Sequence, residues 1–144
     1  VEGDESRIRG AGWARGLVGI CGRVEWRGQR IEFPFRLAAL EPHEVPMNFL
    51  NPREGTPLED RELVSPTEAI RTIAPFRLIM PSTTIRYAGG REVTLGDLQA
   101  MGMQSGVNAL IPGNYLTTLG QNVSNDLHML EDLKMPIKAV RKVL

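Results

Sequence analysis

Cysteine is almost missing from this chain, which carries one, Cys21, in 144 residues. A lone thiol closes no internal disulfide, and it cannot supply the two or four thiolates of a metal site from this chain alone. Lysine is nearly as scarce: only Lys134, Lys138 and Lys142 occur, all near the C-terminus, so the basic set is mostly arginine. The 17 basic and 17 acidic residues cancel, which argues against a non-specific nucleic-acid binder, because that function needs a concentrated basic patch. No apolar run approaches the roughly 20 residues that span a bilayer, and no basic-then-apolar export signal opens the chain. No membrane association is expected, and the cytoplasm is the default compartment. Neither a Gly-x-Gly-x-x-Gly turn nor a phosphate-loop signature occurs, so neither nucleotide-binding class is supported.

What is present is a strand-then-helix pattern, repeated four times between Leu17 and Leu133. Residues 1–15 are charged and Gly-containing with almost no apolar periodicity, and are expected to be disordered or poorly packed; residues 16–144 form the domain. Gly16–Cys21 is a short apolar run with the look of a buried parallel strand. Ile31, Phe35 and Ala38 then recur at helical spacing, with Leu40 nearby, although Pro34 inside that pattern predicts a kink or a late helix start. Val45–Leu50 is the second strand, followed by the polar loop Asn51–Pro66. Ser65, Pro66 and Glu68 spell an N-cap, a first helical position and a capping box. Ala69, Ile73, Phe76 and Met80 mark the inward stripe of that helix, which Pro75 interrupts.

Thr83–Ala88 alternates and is rich in β-branched residues, so it reads as the third strand, ending at Gly89-Gly90-Arg91-Glu92. Thr94, with Asp97 three residues on, is the candidate cap of a short helix burying Leu95, Leu98 and Met101. Val107–Ile111 is the fourth strand. Asn125 is the candidate cap of a last helix whose Leu127, Leu130 and Leu133 face inward, with Met135 following. The spacing predicts an α/β protein of four consecutive βα units, a half TIM-type barrel with parallel strands. A closed barrel needs about 250 residues, so closure would require more protein. A small open doubly wound sheet is the alternative.

Candidate chemistry gathers after and within the strands, where βα architectures place ligands. Asn48 and Asn51 flank the end of the second strand, and a carboxamide pair can fix a ureido, amide or carboxylate group, or simply finish the strand. Arg86 sits inside a β-forming run, with Ile85 and Tyr87 on the opposite face because strand side chains alternate. It points either into a barrel interior or toward the helix layer. A guanidinium buried there needs an anion, a cofactor, or a structural partner such as Glu92 or Asp97. The Gly89-Gly90 turn permits close backbone approach. His43 and His128 have no companion at metal-ligand spacing, and Thr117-Thr118 either cradles a ligand or ends a loop.

The run Glu44–Leu58 (EVPMNFLNPREGTPL) resembles the C-terminal half of the biotin synthase family, most closely its actinobacterial members. So do Ala69–Pro81 (AIRTIAPFRLIMP), Ile85–Glu92 (IRYAGGRE) and Asn114–Leu119 (NYLTTL). The resemblance runs from about Leu17 to the C-terminus and includes the biotin-and-thiamin-synthesis-associated region. It implies a radical S-adenosylmethionine enzyme on a (βα)8 barrel, homodimeric, that inserts sulfur into dethiobiotin. A [4Fe–4S] cluster bound by three cysteines of the N-terminal half cleaves the adenosyl cofactor, and a [2Fe–2S] cluster, held by three cysteines and an arginine, donates sulfur.

By that match Arg86 takes the place of the cluster arginine and Asn48 that of a substrate-contacting asparagine. The departures are the missing radical-enzyme cysteine motif and first four strands. In addition, aligning Gly16–Ile20 puts Trp13 where the family has a cluster cysteine, and Cys21 follows eight residues later, past the opposite end of that aligned run. An indole cannot replace a thiolate on iron. The isolated chain is therefore expected to bind no cofactor and no metal, and to be catalytically incomplete, with autonomous activity not expected. Its expected partner is an N-terminal half-barrel or a synthase subunit, or a second copy of itself. A non-catalytic accessory half-barrel and a non-functional remnant are the other readings.

Overall fold

A computed structural model describes residues 19–21, 27–115 and 119–137. The leading segment 1–15, Trp13, and Thr117 and Thr118 lie outside the described residues. The elements are β1 (Gly19–Cys21), α1 (Arg27–Ala38), β2 (Glu44–Phe49), α2 (Pro66–Ile79), β3 (Thr84–Tyr87), α3 (Arg91–Leu95), a 3₁₀ turn (Gly96–Leu98), α4 (Gln99–Gln104), β4 (Ala109–Leu110) and α5 (Val123–Asp132). The four strands form one sheet in the order β1-β2-β3-β4. Every neighbouring pair is parallel, with Met47 beside both Gly19 and Tyr87, and Arg86 beside both Pro46 and Ala109. The fold is α/β with a parallel sheet, as the spacing predicts.

The two faces of the sheet differ sharply. Val45, Met47, Phe49, Ile85 and Tyr87 are buried, and they meet Ala69, Ile73, Phe76 and Met80 of α2 in one core. Glu44, Pro46, Asn48, Thr84 and Arg86 lie on the other face and are only half-buried. That alternation follows from the two-residue repeat of a strand packed by helices on one side.

In α2 the N-cap and the first-turn proline act as read. Ser65 Oγ accepts the Glu68 N–H at 3.3 Å, and Pro66 occupies the first turn, where a missing amide costs nothing. Pro75 nevertheless sits inside a continuous helix. An interior proline costs about 3 kcal/mol, whereas burying the Ile73, Phe76 and Met80 side chains contributes about 1.5–3 kcal/mol each, so burial wins. Arg77 closes the far end of α2: Nη1 donates to the carbonyls of Met80, Pro81 and Thr83, and Nε to that of Gly106 at 2.9 Å. Burial lowers its pKa from the usual guanidinium value.

Several expectations are corrected. Helix α1 runs through Pro34 from Arg27, with no late start, and it buries Pro34 and Leu37. Ile31 and Phe35, the expected inward stripe, are instead 55% and 60% exposed, while Phe33 meets the Phe76 ring edge-on with centroids 6.0 Å apart. The helix carries apolar residues around most of its circumference, so its period admits two inward faces. Thr94 caps nothing. Gly90, at φ 83°, is the N-cap of α3, and Thr94 lies buried inside that helix with its hydroxyl unpartnered among the described residues. Met101 is exposed and Met103 takes the core position. The cap of α5 is Asn122, whose Oδ1 accepts the Ser124 N–H at 3.0 Å, not Asn125, and Leu127 faces outward. Leu130, Leu133 and Met135 pack against the core as expected.

Candidate functional site

The half-buried face of the sheet brings Asn48 and Arg86 together with a residue not singled out from the sequence, Glu44. Register explains the grouping, since Glu44 pairs with Thr84 and Pro46 with Arg86, placing all of them on one face of adjacent parallel strands. Arg86 Nη2 forms an ion pair with Glu44 Oε1, both side chains remaining about a third exposed, at 32% and 29%. Its partner is thus neither Glu92 nor Asp97. Arg86 Nε is buried and has no hydrogen-bond partner among the described residues. The signal that would have found Glu44 is parity: opposite charges at matching positions of two strands share a face only once the register is known.

Asn48 closes the other end of β2. Its Oδ1 accepts the Gly89 N–H at 3.1 Å, while Met47 O accepts the Ala88 N–H and the Phe49 N–H donates to Gly89 O. Because a backbone N–H can only donate, the side-chain atom facing it is the oxygen, and Nδ2 remains a donor. Gly90 follows in the left-handed region, and a Cβ there would overlap the Phe49 carbonyl, so the turn needs glycine for both conformation and space. Asn51 is half-buried in the loop after β2, and no hydrogen bond joins it to Asn48 among the described residues.

Beyond this turn lies a buried polar cluster that sequence reasoning missed. Arg91 is fully buried and grips Asp126 of α5 through both carboxylate oxygens, at 2.9 and 2.8 Å. Gln99, Tyr115, Glu92 and Ile111 add to its surroundings: Arg91 Nη1 donates to Gln99 Oε1, Nε donates to the Tyr115 hydroxyl at 3.3 Å and pairs with Glu92 Oε1 at 3.3 Å, and Nη2 donates to the Ile111 carbonyl at 3.4 Å. Burial opposes the charge on Arg91, but the hydrogen bonds from Asp126 and Tyr115 outweigh it and raise its pKa. The Tyr115 hydroxyl lies 3.0 Å from Ala88 O and 2.7 Å from Glu92 Oε1. Burial first, and then the Glu92 hydrogen bond, push its pKa up to about 12, so it keeps its proton at neutral pH. The Arg91 partners lie up to 35 residues away in sequence, where no local pattern reaches.

His43 and His128 are exposed and lie on different segments. Among the described residues no three His, Cys, Asp or Glu side chains converge to hold a metal ion, and no helix is long and apolar enough to cross a membrane.

Comparison with known proteins fits this site into a wider frame. The chain is 56% identical over 138 residues to the biotin synthase of Salinispora arenicola, covering 95% of this chain and 42% of that protein. It is 56% identical over 137 residues to that of a Parafrankia species (95% and 38%), and 54% identical over 140 residues to that of Mycobacterium leprae (96% and 41%). It thus spans about two fifths of the length of the curated relatives it matches. Residues 46–136, which include Asn48, the Gly89-Gly90 turn, Arg86 and the Arg91 cluster, match the family described as the Biotin and Thiamin Synthesis associated domain, and the chain belongs to that family.

Proposed function

We propose that this chain serves as the C-terminal part of a biotin synthase, contributing four βα units to an eight-stranded barrel whose other strands come from the N-terminal part of that enzyme. The observation that carries the reading is the sheet itself. Its strands are all parallel in the consecutive order β1-β2-β3-β4, the order a βα barrel requires, with helices on one face and Asn48 and Arg86 on the other. In a closed barrel that second face lines the interior.

The reading gives Asn48 a defined task. With Oδ1 held by Gly89, its Nδ2 offers hydrogens to an acceptor, and the ureido carbonyl of dethiobiotin is one. Arg86 is the candidate ligand to a [2Fe–2S] cluster, a group that supplies sulfur when bound. The described residues do not fit that cluster by themselves. Arg86 Nη2 is already engaged by Glu44, and Cys21 stands in register with Phe49, whereas Asn48 and Arg86 occupy the opposite parity. Trp13 holds the position of a family cysteine. Residues 1–144 alone are therefore catalytically incomplete, and the [4Fe–4S] cluster and S-adenosylmethionine would belong to the N-terminal part.

The test is assembly. The chain is co-expressed with the N-terminal part of the Salinispora arenicola enzyme that it does not match, and biotin formation from dethiobiotin is assayed anaerobically with iron, sulfide and S-adenosylmethionine. The unaltered chain is expected to give no turnover and Trp13→Cys to restore it. If Trp13→Cys forms a complex and still yields no biotin, the proposal fails.

A further inference from the structure

We propose that Tyr115 is a positioning residue for Asn48, acting through the single peptide group that joins Ala88 to Gly89. This rests on the reading above, in which Asn48 contacts substrate.

One end of that peptide, the Gly89 N–H, donates to Asn48 Oδ1 at 3.1 Å. Its other end, the Ala88 carbonyl, is one of two acceptors for the single Tyr115 hydroxyl proton, at 3.0 Å, the other being Glu92 Oε1 at 2.7 Å. A peptide unit is a rigid plane, so holding the carbonyl fixes the direction of the N–H on its far side. The N–H direction in turn sets the Asn48 carboxamide and decides where Nδ2 is presented. The two hydrogen bonds also polarise each other through the conjugated amide. Tyr115 is itself anchored, with its oxygen accepting from Arg91 Nε, and Arg91 is locked on Asp126. A residue in the segment after β4 thereby governs a side chain on β2, with no hydrogen bond between them among the described residues.

Proton counting sharpens the assignment. The hydroxyl has one hydrogen and two acceptors in reach, Ala88 O and Glu92 Oε1. The carboxylate is the competitor for the proton that holds the turn.

Hydrogen exchange of the Gly89 amide in the full chain reads this out. Tyr115→Phe is expected to accelerate Gly89 exchange about tenfold, while the amides of Ile73 and Phe76 in α2 exchange as before; this corresponds to losing about one hydrogen bond. An unchanged Gly89, or an equal acceleration in α2, overturns the proposal, the latter because it marks general loosening. Should Tyr115→Phe not fold, Glu92→Gln decides. Weakening the competitor must leave Gly89 as protected as before or more so, and an acceleration assigns the grip to the carboxylate instead. In the assembled Trp13→Cys complex, Tyr115→Phe should raise the KM for dethiobiotin about tenfold with iron content unchanged. If that complex makes no biotin at all, the functional reading fails while Gly89 exchange still decides the role of Tyr115.

Discussion

Gly90 concentrates two constraints in one residue. Its φ of 83° is costly for any side chain, and a Cβ would collide with the Phe49 carbonyl. Gly55, at φ 78°, meets nothing within 4 Å. Gly90→Ala is therefore expected to cost about 3 kcal/mol, conformational strain plus overpacking, and Gly55→Ala only about 1 kcal/mol. Urea denaturation of the two variants separates the terms, and equal losses would mean that strain alone matters. Asp126 poses a different residue-scale question, because it and Arg91 are 1% and 0% exposed. Asp126→Ala removes the bidentate partner of a buried guanidinium, leaving Glu92 Oε1 at 3.3 Å from Nε as its carboxylate, and should cost about 3 kcal/mol, whereas Arg91→Met with Asp126→Leu should recover most of the loss. A single-variant loss under 1 kcal/mol would show that water or another group relieves Arg91.

Helices α1 and α2 show which elements a sequence reveals. In α2 the capping residues and the stripe Ala69, Ile73, Phe76 and Met80 are local, and each is found where the 3.6-residue period places it. In α1 the apolar residues Ile31, Phe33, Pro34, Phe35 and Leu37 spread over about 200° of the helix, wider than one buried stripe, so only packing against α2 chooses the inward side. The start of α3 is set by a glycine at positive φ, a choice made by the crowding at Phe49 and not by Thr94. Asn48 and Arg86 stand out in the sequence because a polar residue inside a β-forming run is a local signal, whereas the face that Arg86 takes is not. Glu44, Arg91 and Asp126 could not, since their roles depend on register and on contacts across the fold. The prolines give the test at this scale. Pro75 is half-buried, so replacing it recovers an amide at a modest cost in contacts. Pro75→Ala should stabilise the chain by about 2 kcal/mol. Pro34 is fully buried, and the same change there should gain less, because more packing is lost. Both follow from thermal or urea midpoints, and a destabilised Pro75→Ala would mean that the ring packs better than its exposure suggests.

At the scale of the molecule, among the described residues, the helices cover one side of the sheet and leave the other to the Arg86–Glu44 ion pair and a few small or polar side chains. At about a third exposure, the Arg86–Glu44 pair sits in a high-dielectric setting, where such pairs contribute only about 0–1 kcal/mol. Its consequence for the molecule is solubility. Pro46 and Ala109 flank Arg86 in the same row, so without the charges the face would present a continuous apolar strip within the described sheet. Replacing both residues, Arg86→Leu with Glu44→Leu, should leave the unfolding midpoint nearly unchanged and markedly increase self-association of the chain in sedimentation. Arg86→Leu alone should be worse folded than the double variant, since it leaves Glu44 without its cation on a drier surface. A large stability loss in the double variant would instead make the pair part of the structural core. Unaltered sedimentation would mean that this face is already covered in solution, and an interior-lining role would then have to be assigned to a different surface.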